Sequence, residues 1–211
     1  PSAPAASSNS PVCAGQDITL SASSVGGATY AWTGPNSFSS ASQNSTIASA
    51  TTAANGTYSV TATVSGCTST AGTTSVTVNP IPSAPTAGSI PPLCSGKTIT
   101  LTASTVTGAT YSWTGPNSFS SSSQNPTIAN ATTANAGTYS VSAIVSGCTS
   151  STSTTSVTIN TTPAAPTPGS NTPLCEGQTL NLTSNTIGSA TYDWTGPASF
   201  SSALEDPSIA N

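Results

Sequence analysis

Short runs in which apolar and polar residues alternate fill this chain. Ile18, Leu20 and Ala22 alternate with Thr19 and Ser21, the pattern of a half-buried strand after a glycine turn. Tyr30 and Trp32 fall on one face of the next run, residues 29–33, and Gly34-Pro35-Asn36 ends it because proline cannot donate to a ladder. Residues 37–44 are polar and read as irregular, and a short strand is predicted over 46–48. The clearest alternation places Tyr58, Val60, Ala62 and Val64 on one face and Ser59, Thr61 and Thr63 on the other. Ser65-Gly66-Cys67 then turns the chain, and a last strand is predicted over 73–79, before Pro80. No window carries apolar residues at i, i+3, i+4 and i+7, so the prediction is all-β.

The pattern repeats. ATYAWTGPNSFSS at 28–40 returns as ATYSWTGPNSFSS at 109–121 and ATYDWTGPASFSS at 190–202, and Trp32, Trp113 and Trp194 stand 81 residues apart. A fixed period of this kind marks an array of similar units. The units are 1–81, 82–162 and 163–211, the third incomplete. Each opens with a Pro/Ala/Ser segment (Pro1–Pro4, Pro82–Pro85, Pro163–Pro166) that favours extended geometry and serves as a semi-rigid spacer. Only 5% of residues are aromatic. Tyr30, Trp32, Tyr58, Tyr111, Trp113, Tyr139, Tyr192 and Trp194 are therefore the expected core centres, since large rings bury the most apolar area. Asn211 corresponds to Asn130, so unit 3 lacks a corner tyrosine and the strands after it. The expectation is that the polypeptide continues, with a cysteine 54 residues beyond Cys175.

Charge changes the picture mainly by exclusion. Lys97 is the only basic residue, and Asp17, Glu176, Asp193, Glu205 and Asp206 are the only acids. Nucleic-acid binding needs a basic stripe, which one lysine cannot make. General acid–base chemistry needs histidine or carboxylates tuned by neighbours; the chain has no His and no Arg, and a serine nucleophile would lack a base. The expectation is a non-enzyme without cofactor or metal. Glu205-Asp206 is the only acidic pair, and its counterparts are Gln124-Asn125 and Gln43-Asn44, the mark of surface variation rather than a calcium site. Five glycosylation sequons, at Asn44, Asn55, Asn130, Asn160 and Asn181, are expected by chance where Ser and Thr make up roughly two residues in five. No apolar run approaches the length of a membrane-spanning helix.

Cysteines add a covalent expectation. Cys13 and Cys67 are 54 residues apart, and so are Cys94 and Cys148. One pair per unit, without histidine, predicts one disulfide inside each unit, with Cys175 left without a partner. The competing readings are free structural thiols and a metal site, and two cysteines alone do not complete a tetrahedral shell. Disulfides would imply an oxidising compartment.

Several short strands closing within about 80 residues suggest an antiparallel two-sheet sandwich. The unit resembles immunoglobulin-like domains: Trp32 and Trp113 match the core tryptophan of the third strand, and Asn55-Gly-Thr-Tyr58 and Asn135-Ala-Gly-Thr-Tyr139 resemble the tyrosine corner. Two residues past the corner tyrosine that family has cysteine, whereas this chain has Val60 and Val141. With P-x-C-x-G near the start and S-G-C-T-S near the end, the unit is similar to tandem Ig-like and PKD-like modules of very large secreted surface proteins in Bacteroidota. That resemblance implies an extracellular or outer-surface fibre or stalk whose partners are further copies of the repeat. The alternative it leaves open is an adhesin whose modules bind a surface glycan or a protein.

Overall fold

The computed structural model describes residues 1–210; Asn211 lies outside the described residues. The first unit contains β1 (Ala6–Ser8), β2 (Val12–Cys13), β3 (Ile18–Ala22), β4 (Thr29–Gly34), β5 (Phe38–Ser40), β6 (Asn44–Ile47), β7 (Gly56–Val64), β8 (Cys67–Thr68), β9 (Gly72–Val76) and β10 (Val78–Asn79). One sheet has the order β1-β3-β6; the other runs β5-β4-β7-β8, with β9 also on β7. The ladders within both sheets are antiparallel, and β2 pairs in parallel with β10 where the chain crosses between layers. This is a two-sheet immunoglobulin-like sandwich.

Alternation becomes burial. Ile18 and Leu20 from one sheet are fully buried, and so are Val60 and Ala62 from the other. Register sets Trp32 beside Val60 and Tyr30 beside Ala62, so both rings point inward. Trp32 is 1% exposed, and its indole N–H still reaches a partner, donating to the Gln43 carbonyl at 3.2 Å. Gln43 in turn donates from Nε2 to the Ala22 carbonyl at 2.8 Å, tying the segment after β5 to the opposite sheet. A buried donor without such a partner would cost more than the bond returns, so these contacts let a polar-edged ring sit in the core.

The corner also forms. Tyr58 Oη donates to the Ala54 carbonyl at 2.9 Å, and the ring meets Phe38 edge-on with centroids 5.4 Å apart. Its ring lies against Gly34, where an added Cβ would overlap the ring carbons. Segment 37–44, read as irregular, contains β5, because Asn36 and Ser37 both take positive φ and fold the chain back onto β4. Asparagine tolerates that conformation better than most residues.

The second unit repeats the arrangement with β11 (Ala87–Ser89), β12 (Leu93–Cys94), β13 (Ile99–Ala103), β14 (Thr110–Gly115), β15 (Phe119–Ser121), β16 (Thr127–Ile128), β17 (Gly137–Val145), β18 (Cys148–Thr149), β19 (Ser153–Val157) and β20 (Ile159–Asn160). Its core is built on Ile99, Leu101, Tyr111, Trp113, Tyr139 and Val141. Trp113 donates to the Gln124 carbonyl at 3.2 Å, and Tyr139 to the Asn135 carbonyl at 2.7 Å.

The third segment carries β21 (Pro168–Ser170), β22 (Leu180–Ser184), β23 (Trp194–Thr195), β24 (Ser201–Ser202) and β25 (Ser208–Ile209). Here the core expectation needs correction. Tyr192 and Trp194 are only half-buried, since no described strand stands where β7 and β17 stand in the other units. They line an open groove of about 470 Å³ with Pro166, Ile187 and Ala190. The indole N–H of Trp194 donates instead to the Leu204 carbonyl at 3.0 Å, one residue before the position equivalent to Gln43 and Gln124.

Candidate functional site at the junction between units

The feature that stands apart from the repeated cores is covalent. Cys13 is bonded to Cys148, with an S–S distance of 2.00 Å, a Cα–Cα distance of 5.6 Å and a sequence separation of 135. The expected pairs Cys13–Cys67 and Cys94–Cys148 are not formed; Cys67, Cys94 and Cys175 are free and exposed. The bridge joins unit 1 to unit 2 rather than closing a loop within either.

Strand direction supplies the reason. β7 starts at Gly56, opposite Val76, and ends at Val64, opposite Cys67. Val76 lies just before β10, which holds β2 and therefore Cys13. Cys13 and Cys67 thus sit near opposite ends of a nine-residue strand, about 30 Å apart at roughly 3.3 Å per residue. A disulfide needs Cα atoms within about 7 Å. The same separation keeps Cys94 from Cys148. The end that carries the first cysteine of one unit meets the end that carries the second cysteine of the next, so the two sandwiches stack head to tail.

Each side is presented by rigid local structure. On unit 1, Val12 and Cys13 pair with Val78 and Asn79, and Ala14 N–H donates to the Asn79 carbonyl at 2.8 Å. On unit 2, Cys148 follows the tip of the β17–β18 hairpin, where Ser146 (φ 49) and Gly147 (φ 79) form a two-residue turn with both φ positive. Such turns match the twist of the flanking strands and hold the tip in one geometry. Asn79 Nδ2 donates to the Ser146 carbonyl at 3.2 Å, and Cys148 Sγ lies 3.9 Å from the Asn79 carbonyl oxygen. Cys148 is 1% exposed, whereas its counterpart Cys67 is open to solvent. The spacer between the units, residues 80–86, forms no strand, and Ile81 within it is 52% exposed.

The remaining sequence-derived residues fall in the cores. Tyr30, Trp32, Tyr58, Tyr111, Trp113 and Tyr139 are buried and present no aromatic platform to a ligand. Burial pushes the Tyr58 and Tyr139 phenols up from the ordinary value of 10.0. Asp17 acts locally: its Oδ1 accepts from Ser49 N–H at 2.8 Å, supporting a turn in which Ser49 has positive φ. Among the described residues no group of three or more His, Cys, Asp or Glu is placed to hold a metal ion. Among those residues, too, no helix is long and apolar enough to cross a membrane. Sequence reasoning missed Asn79 and the Ser146-Gly147 tip as junction residues; the available signals were Ser65-Gly66-Cys67, read only as a turn, and Pro80, read only as the end of the last strand.

Comparison with known proteins agrees with the fold. Residues 1–80 match the model of a family described as "Ig-like domain CHU_C associated", so this stretch is an Ig-like module. No curated protein matches the chain. Among solved structures, one chain of the crystal structure of a mouse coronavirus receptor-binding domain complexed with its murine receptor is similar at a TM-score of 0.51 and 16% identity, over 75% of this chain and 100% of that one. Looser likenesses are to a marsupial T cell receptor (TM-score 0.49, 14% identity, 93% of this chain and 90% of that one) and to murine CEACAM1b (0.47, 15%, 75% and 100%). At such identities the likeness concerns the fold. An Ig-like family of this kind points to an extracellular structural or binding module, a class that is typically non-catalytic.

Proposed function

We propose that this chain is a shaft segment of a long extracellular or cell-surface fibre, in which each sandwich is a rigid bead and each junction is stapled. The observation that carries the reading is the Cys13–Cys148 bridge between the facing ends of successive units. A proline-rich spacer alone limits bending only partly. A second, covalent connection beside it removes most of the remaining hinge freedom. It also changes how load travels. Tension applied at the chain ends passes from the segment before Cys13 directly to the segment after Cys148, so the cores between them carry little of it. The near absence of charge supports the reading from another side, since one Lys and no Arg leave few sites for trypsin-like cleavage.

Sandwiches about 30 Å long stacked end to end make a particle at least twice as long as it is wide. Small-angle scattering and electron microscopy of the full chain are expected to find a straight rod that keeps its length in both techniques. Units folded side by side, or a freely hinged pair, would overturn the proposal.

A further inference from the structure

The bridge joins the first cysteine of one unit to the second cysteine of the next. Cys94 is the first cysteine of unit 2 and Cys67 the second cysteine of unit 1, so each occupies a position that is bonded elsewhere in the same molecule. Their surroundings are already built. Leu93 and Cys94 pair in parallel with Ile159 and Asn160, as Val12 and Cys13 do with Val78 and Asn79. Ser95 N–H donates to the Asn160 carbonyl at 2.8 Å, the distance found from Ala14 to Asn79, and Gly96 donates to Ala131 at 2.8 Å, as Gly15 does to Ala50. Cys67 stands opposite Val64 across its hairpin as Cys148 stands opposite Val145. The tips match as well, with φ of 49 and 83 at Ser65 and Gly66 against 49 and 79 at Ser146 and Gly147. Each half of the junction is preformed, and only the facing unit differs.

We infer that Cys67 and Cys94 are bridging sites for further copies of this unit. Cys67 takes the first cysteine of a copy stacked on the outer end of unit 1, and Cys94 takes the second cysteine of a complete copy in third place. The inference rests on the shaft reading and names its partner. In each junction two thiols lose two protons and two electrons and form one S–S bond. A small disulfide oxidant accepts both by exchange and leaves as two thiols. The resulting covalent loops overlap, because each begins inside the one before it. The stretch from Cys94 to Cys148 then lies within two loops, and a single backbone cut there leaves the fibre in one piece.

Two extended chains test this. In one, a copy of residues 131–162 follows Asn211 and completes the third unit; in the other, a copy of residues 1–81 precedes Pro1. Both are folded with glutathione disulfide, alkylated without reduction and mapped by mass spectrometry. The expected links are from Cys94 to the added copy of Cys148 in the first chain, and from the added copy of Cys13 to Cys67 in the second. Cys13–Cys148 is expected in both. Cys94→Ser in the first chain is expected to leave the added cysteine open to alkylation. Cys67 and Cys94 alkylated in both chains, or linked at random among all cysteines, would overturn the inference. Free cysteines in a particle that is still a straight rod would defeat the bridges and leave the shaft reading standing, whereas a compact particle would defeat the shaft reading itself.

Discussion

Replacing Cys148 by Ser should destabilise unit 1, although the substituted residue belongs to unit 2. With the bridge intact, unfolding unit 1 while unit 2 stays folded leaves a closed loop from Cys13 to about Ala87, where the second sandwich begins. In the chain-entropy model a loop of roughly 70 residues restricts the unfolded state by about 4 kcal/mol, and the substitution releases that restriction. Against a typical domain stability of about 5–15 kcal/mol this is a large fraction. The assay is urea unfolding of the full chain carrying Trp113→Phe and Trp194→Phe, so that Trp32 alone reports on unit 1. The Cys148→Ser variant is expected to move that transition down by roughly 1–4 M, given typical urea slopes of about 1–3 kcal/mol/M. Cys67→Ser is expected to leave it in place. Pairing within units would reverse the outcome, with Cys67→Ser lowering the transition and Cys148→Ser leaving it untouched; that result would refute the reasoning.

Three further outcomes follow from the cores. Trp113→Ala removes a ring that is 1% exposed and should cost unit 2 about 3–5 kcal/mol in chemical denaturation; native tryptophan emission at a water-exposed wavelength would contradict the burial. Gly34→Ala puts a methyl group onto the Tyr58 ring and should cost about 1–3 kcal/mol, read as a lowered melting midpoint; an unchanged midpoint would show that the ring does not pack there. Burial raises the Tyr58 and Tyr139 phenols above 10.0, so the folded state holds these protons more tightly than the unfolded state. Their stabilisation is present below pH 10 and is lost as pH rises through the folded values. The urea midpoint should hold steady from pH 7 to 9 and fall above about pH 10, and the double Tyr→Phe variant should flatten that fall.

The sandwich was legible because its signals are local. Ile18, Leu20 and Ala22 alternate with small polar residues, and a period of two puts one side inward wherever the strand lands. Trp32 and Tyr58 were legible because a chain this poor in rings has little else from which to build a core. β5 was not, since its three residues, Phe38–Ser40, are held by a positive-φ turn at Asn36 and Ser37 that alternation does not reveal. Tyr192 and Trp194 carry the same local pattern as their counterparts, but their burial depends on the neighbouring strand of their own sheet, the place of β7 and β17, which no described strand fills.

The cysteine pairing failed for a different reason. In a periodic chain, a spacing of 54 within a unit and a separation of 135 between units leave the same trace, because the two differ by one period of 81. Spacing alone cannot choose between them. Direction can: Cys67 follows a hairpin tip after the long strand, and Cys13 sits beside the strand that ends at Asn79, so the two mark opposite ends of one sandwich. Geometry then excludes the pair inside the unit and permits the one between units.

Disulfide mapping of the full chain tests that central claim most directly. The protein is alkylated under native, non-reducing conditions, digested with proteases that need no basic residue, and analysed by mass spectrometry. The account requires one dominant cross-link, Cys13 to Cys148, with Cys67 and Cys94 recovered as alkylated peptides. Recovery of Cys13–Cys67 and Cys94–Cys148 as the dominant links would contradict it and remove the staple from the junction.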